Sequence, residues 1–177
     1  MKKSKILSFI LCIFICFYIS GCKNKNNEEE IIEERTYHND NFPSFIINDV
    51  KAKSGDEVVM NVSLKDNPGF LTMALKINYD ENVMTLNEVK SCDDYSDYTY
   101  VGPTNMASGC TASLFGVDLP EKIIDGNLFE LHFSISKEAK KGKYEVYISR
   151  PDNGGIVNVN KEEIIINEAI GIIDISK

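Results

Sequence analysis

From Pro43 onward, apolar side chains recur at every second position, and that period restricts the chain to sheets. Leu71, Met73, Leu75, Ile77 and Tyr79 fall on one face of an extended segment, with Thr72, Ala74, Lys76 and Asn78 on the other. An amphipathic helix would need apolar residues three and four apart, and no long stretch offers them. The same alternation runs through Val58, Met60, Val62 and Leu64, and through Phe129, Leu131, Phe133 and Ile135 against Leu128, Glu130, His132 and Ser134. Ser54-Gly55-Asp56 and Asn67-Pro68-Gly69 supply turns; in the second, Pro presets the first turn dihedral and Gly is free to take positive φ. Further strand-like runs lie at 46–52, 84–89, 98–101, 112–117, 143–149, 155–159 and 171–175. The stretch from Glu162 to Ile170 reads equally as strand or loop. Lys137 to Lys140 could form one helical turn, which Gly142 would end. Short strands separated by turn signals, in about 135 residues, predict one all-β sandwich domain over 43–177.

The N-terminus reads differently. Lys2, Lys3 and Lys5 precede an apolar run from Ile6 to Ile19, and Ser20-Gly21 leads into Cys22. This is signal-peptide architecture ending in a bacterial lipobox. Spanning a bilayer takes about 20 apolar residues, so the run is short for a transmembrane helix. Acyl chains attach to a thiol, and each buried methylene adds about 0.8 kcal/mol, so a lipidated Cys22 would hold the chain on the membrane. Residues 1–21 are then the leader, and the protein faces outward at the cell surface.

Loss of Lys2, Lys3 and Lys5 with that leader leaves 16 basic residues against 27 acidic ones, a formal charge of −11. Nucleic-acid binding is excluded on that balance, because phosphate contacts need a basic face. Anionic lipid is likewise no partner, so membrane attachment rests on the N-terminal lipid alone. Residues 22–42 are rich in Asn and Glu, with Glu28-Glu29-Glu30 and Glu33-Glu34, and cannot bury enough apolar surface to fold. They read as an acidic tether.

Once Cys12 and Cys16 leave with the leader and Cys22 is acylated, Cys92 and Cys110 remain as an even pair. On an extracellular domain such a pair is expected to form a disulfide, contributing about 3 kcal/mol in the chain-entropy model. An anaerobic host would leave both thiols reduced.

Catalysis finds little support. His38 lies in the tether and His132 on an alternating strand, and no nucleophile elbow, zinc-binding helix or phosphate loop is present. No catalytic residue, bound metal or cofactor is assigned. Direct glycan binding is the rival to protein binding. Sugar platforms favour Trp or Tyr; the chain has no Trp, but Tyr95, Tyr98 and Tyr100 cluster beside Asp93, Asp94 and Asp97. That segment could hold sugar or Ca²⁺, although it lacks EF-hand spacing and reads more simply as a loop and an edge strand.

Several stretches carry a family resemblance in order and spacing. Gly55-Asp56-Glu57-Val58-Val59, Ile77-Asn78-Tyr79-Asp80 with Val83 to Leu86, Ser113 to Asp118, Asp125 to Leu131, Ser136 to Tyr144 and Gly171 to Ile175 together resemble a cohesin domain, the dockerin-binding module of cellulosome scaffolds. The resemblance implies a nine-stranded β-sandwich of jelly-roll topology, related to carbohydrate-binding modules, that binds rather than catalyses. It also implies that one flat face, built from the family's third, fifth, sixth and eighth strands, holds the Ca²⁺-loaded helices of a dockerin. Carried onto this chain, the third strand would present Thr72, Ala74, Lys76 and Asn78, the sixth Ala112, Leu114 and Gly116, and the eighth Glu145 and Tyr147. Leu114 and Tyr147 would be the anchors, since apolar and aromatic residues dominate interface cores. Well-studied cohesins often carry an Asn and an Asp where this chain has Thr72 and Ala74, which puts the choice of partner in question. The expected function is a cell-surface lipoprotein that docks a dockerin-bearing extracellular protein such as a glycan-degrading enzyme, with any Ca²⁺ belonging to the partner.

Overall fold

The structure is a computed structural model that describes residues 39–116, 120, 122–152 and 155–176. The leader, Cys22, His38 and nearly all of the tether lie outside these residues. Among the described residues there are twelve strands: β1 (Ser44–Ile47), β2 (Val50–Lys53), β3 (Glu57–Lys65), β4 (Thr72–Asn78), β5 (Met84–Ser91), β6 (Thr99–Val101), β7 (Cys110–Phe115), β8 (Gly126–Ile135), β9 (Gly142–Ser149), β10 (Ile156–Val157), β11 (Glu163–Ile164) and β12 (Ala169–Ser176). Asp93–Tyr95 forms a single 3-10 turn. The expected count of nine is exceeded by short additions, among them the two-residue β11, which settles the ambiguous stretch 162–170 as part strand, part loop.

The strands form two sheets. The smaller runs β1-β3-β8-β5, and the larger runs β11-β10-β4-β9-β12-β2, with β7 joined to β4 and β6 to β7. Named pairs are antiparallel except β2 with β12, which run parallel. The core lies between the inward faces: Met60, Val62, Leu86, Leu131 and Phe133 from the smaller sheet meet Met73, Leu75, Ile77, Val146, Ile148 and Ile173 from the larger. Period-two patterning drives this directly, because every second side chain on β4 is buried and the others are half-buried. Closest approach is marked by Gly171, where an added Cβ would stand 2.7 Å from Met60 Cε and 2.9 Å from Ile47 Cγ2. Gly69 takes φ 99°, as its turn requires.

Two irregularities modify the alternation. Between Val62 and Ser63 the β3–β8 register shifts, so Leu128 is an extra residue and is buried along with Phe129. Strict alternation would have put Leu128 outside with Glu130. A second shift between Leu86 and Glu88 leaves Asn87 unpaired in the ladder, and its amide donates to Ser134 Oγ at 2.6 Å.

Residues 39–42 are tied into the domain. Asn167, 5% exposed, accepts from the Asn39 N–H at 3.0 Å and donates through Nδ2 to Asn39 O and Ser44 Oγ, both at 2.9 Å.

Candidate partner-binding face

β4 occupies the centre of the larger sheet because β7 pairs with one edge while β10 and β9 share the other. Met73, Leu75 and Ile77 point into the core, so Thr72, Ala74, Lys76 and Asn78 stand on the outer face, as expected. Glu145 and Tyr147 share that face on β9, flanking inward Val146 and lying beside Ile172 and Ile170 of β12.

The sixth-strand expectation is corrected. Ala112 and Leu114 are 0% exposed, and Gly116 is buried where an added Cβ would meet Tyr98 Cε1 at 2.9 Å. Register gives the reason: directly opposed residues in an antiparallel pair project to the same face, and Leu114 opposes Met73 while Ala112 opposes Leu75. The outward residues of β7 are Thr111, Ser113 and Phe115, opposite Lys76, Ala74 and Thr72. A signal for this lay in the sequence, where polar Thr111 and Ser113 alternate with apolar Cys110, Ala112 and Leu114; the adjacent Leu114 and Phe115 obscured it. Thr99 and Val101 extend the face onto β6, opposite Phe115 and Ser113. Phe115 at 37% and Val101 at 50% exposure are thus diagonal neighbours and give this end an apolar character.

The other end is polar. Lys76, Asn78, Tyr79, Glu145, Tyr147 and Ser149 line a shallow depression of about 430 Å³ between β4 and β9. Lys76 Nζ reaches Asp152 Oδ2 at 3.4 Å, and Asn78 Nδ2 donates to Tyr147 O and Ser149 Oγ, each at 3.4 Å. Tyr79 is anchored from below, its hydroxyl donating to Met106 O and its ring lying edge-on to Phe133.

The tyrosine-rich segment is not an open platform. Tyr95 and Tyr98 are buried, packing against Phe70 with ring centroids 5.4 and 5.0 Å apart, and Tyr100 donates its hydroxyl to Val89 O. The neighbouring acids hold loops: Asp94 Oδ2 accepts from Asn127 N at 2.7 Å and Asp97 pairs with Lys122 at 2.8 Å. Among the described residues no three His, Cys, Asp or Glu side chains are grouped to hold a metal. Burial pushes the Tyr95 phenol up to about 12 from 10.0 and raises Tyr79 and Tyr100 as well. These groups hold their protons more tightly folded than unfolded, so their stabilising effect is complete below pH 10 and is lost as pH rises toward 12. Urea denaturation at pH 8 and pH 11 should show a lower midpoint at the higher pH, with a further rise in phenolate absorbance on unfolding at pH 11.

The expected disulfide is likewise corrected, since Cys92 and Cys110 are free thiols. Cys110 is buried at the start of β7 opposite Ile77 in the larger sheet. Cys92 follows β5 of the smaller sheet, its N–H bonded to Leu128 O. Burial raises both thiols above the usual value, with Glu130, Asp94 and Asp93 adding to the rise at Cys92. Native alkylation of the folded domain should therefore label two thiols slowly, half-buried Cys92 ahead of Cys110, as counted by mass spectrometry without reductant. His132 stands half-exposed on the outer face of the smaller sheet, with Nε2 3.1 Å from Glu130 Oε2.

Comparison with known proteins converges on this architecture. No curated protein matches the chain. Among solved structures it is similar to the cohesin of a type I cohesin–dockerin complex, Coh-OlpA-Doc918 from Clostridium thermocellum, at 24% identity and TM-score 0.62, covering 77% of this chain and 100% of that one. It is also similar to a non-cellulosomal cohesin from the archaeon Archaeoglobus fulgidus, at 12% identity and TM-score 0.63, covering 77% and 92%. A third likeness is to CaCohA2 from Clostridium acetobutylicum, at 18% identity and TM-score 0.59, covering 76% and 91%. The family model described as Cohesin domain matches residues 43–168, most of the sandwich and its exposed sheet face, and the chain therefore belongs to the cohesin domain family.

Proposed function

We propose that this chain is a non-catalytic docking module that binds a dockerin-bearing extracellular protein through the outer face of its larger sheet. The observation that carries the reading is the row Thr72, Ala74, Lys76 and Asn78 on β4, half-exposed and flanked by outward residues of β7 and β9. Membership of the cohesin family supports it, as do structural neighbours solved in complex with dockerins, among them Coh-OlpA-Doc918 and Coh-OlpC-Doc435. The module itself needs no cofactor, and Ca²⁺ belongs to the partner. Residues 1–21 serve as leader, Cys22 carries lipid, and the tether ahead of Asn39 holds the sandwich off the membrane at the outer cell surface. Lipid at Cys22 would make the module an anchor, placing a glycan-degrading enzyme beside the cell that imports its products.

The test is to immobilise residues 35–177 and pass over them the secreted proteins of the same organism, with Ca²⁺ and then with chelator. Retention of chains identified as dockerin-bearing, released on chelation, is the expected outcome. Retention of soluble glycan with no such chain would contradict the reading. Metabolic labelling with a palmitate analogue tests the anchor: label lost on Cys22→Ser is expected, and label retained in that variant contradicts it.

A further inference from the structure

We propose that the depression between β4 and β9 receives one basic side chain of the docking partner, Arg in preference to Lys, between the Glu145 carboxylate and the Tyr147 ring. This rests on the docking reading above and names the chemistry that the partner must bring.

The inference follows from which groups in the depression are already engaged. Lys76 is drawn toward Asp152, the Asn78 amide is directed to Tyr147 O and Ser149 Oγ, and the Tyr79 hydroxyl is directed to Met106 O. Ser149 is 7% exposed, and its hydroxyl accepts from the Asn78 amide. Glu145 is exposed and Tyr147 half-buried, and neither side chain has a hydrogen-bond or ion-pair partner among the described residues. They lie two residues apart on one face of β9, about 7 Å along the strand. A carboxylate and a half-exposed aromatic ring at that separation are complementary to a cation, which gains a charge-assisted hydrogen bond from one and a cation–π contact from the other. A planar guanidinium satisfies both better than a compact ammonium.

Other charges near Glu145 leave it available. Lys143 is two residues away on the same face of β9 but forms no ion pair with Glu145, and in register it opposes Asp174 of β12. A neutral sugar fits poorly, because it would need several unspent donors, and the Asn78 amide and Tyr79 hydroxyl already donate to Tyr147 O, Ser149 Oγ and Met106 O.

The experiment uses residues 35–177, a unit that should fold alone, since the matched OlpA cohesin is covered over 100% of its chain by this sandwich. Each Ca²⁺-loaded dockerin encoded by the same organism is titrated calorimetrically against wild type, Glu145→Gln, Glu145→Lys, Tyr147→Phe and Tyr147→Ala. Each Arg and Lys of a binding dockerin is then replaced by Ala in turn. Expected are about tenfold weaker binding for Glu145→Gln, about a hundredfold for Glu145→Lys, little change for Tyr147→Phe and a clear loss for Tyr147→Ala. One basic residue of the dockerin should, once removed, make Glu145→Gln silent. A dockerin that binds wild type and Glu145→Gln equally would overturn this inference while leaving the docking reading intact. Binding of cellohexaose or xylohexaose that is lost in Tyr147→Ala and unaffected by Glu145→Gln would overturn it in favour of a glycan. Failure of every dockerin to bind would overturn both.

Discussion

Leu114→Ala is expected to lower folding stability by about 3 kcal/mol, while Ser113→Ala, one residue away, stays within about 0.5 kcal/mol of wild type. Leu114 is fully buried opposite Met73, between the two sheets, and truncation leaves a cavity that packed neighbours fill only partly. Ser113 faces outward beside Ala74 and Val101. Dockerin binding should respond in the opposite sense: Ser113→Arg should abolish it in a protein as stable as wild type. Urea midpoints and calorimetric titration on the same four proteins would decide. Equal, small stability losses at both positions would return Leu114 to the surface and the sixth-strand anchor to its family-derived place.

Asn67→Leu should cost about 3 kcal/mol, although Asn67 sits in a turn where substitutions are commonly mild. Its side chain is buried and joins its own turn to the loop at 122–124. Nδ2 donates to Lys122 O at 2.8 Å and Ile124 O at 2.9 Å, while Oδ1 accepts from Gly69 N at 2.9 Å. Its backbone N–H is bound by Asp125 Oδ1 at 3.0 Å, and Tyr95 Oη donates to the same Ile124 O at 2.7 Å. Leucine supplies none of the side-chain bonds: Lys122 O and the Gly69 N–H lose this partner, and Ile124 O keeps the Tyr95 hydroxyl. Thermal denaturation should show the loss, accompanied by increased exposure of Tyr95 to solvent perturbation. A variant within 0.5 kcal/mol of wild type would mean that water replaces the amide.

The sandwich was legible because its central strand is unspoiled: nothing interrupts the alternation from Thr72 to Asn78, so the faces of β4 follow from side-chain chemistry alone. β7 is harder to read because two large apolar residues, Leu114 and Phe115, are adjacent, and the face implied by the family resemblance runs against the polar alternation of Thr111 and Ser113. A period-two count puts Leu128 on the side of Glu130, because a bulge is invisible to it. Tyr95 and Tyr98, set among aspartates, read as an exposed loop and an edge strand, yet Asp94 holds the Asn127 amide and Asp97 holds Lys122 while the rings pack against Phe70. The roles of Asn67 and Asn167 could not be anticipated, since single polar side chains that tie distant loops leave no pattern in the sequence. Cys92 and Cys110 showed that an even count does not specify pairing: one thiol lies within the core and the other beyond the end of a strand in the opposite sheet.

The central claim is that the outer face of the larger sheet, and not that of the smaller, is where a dockerin docks. Ala74→Arg places a long charged side chain at the centre of that face, and Val59→Arg places the same side chain on the outer face of the opposite sheet, where Val59 is 40% exposed. The decisive measurement is the calorimetric Kd of a Ca²⁺-loaded dockerin from the same organism for these two variants, with folding checked by urea midpoint. The account predicts at least hundredfold weaker binding for Ala74→Arg and no more than a twofold change for Val59→Arg. Full-strength binding by Ala74→Arg, or a loss confined to Val59→Arg, would contradict it.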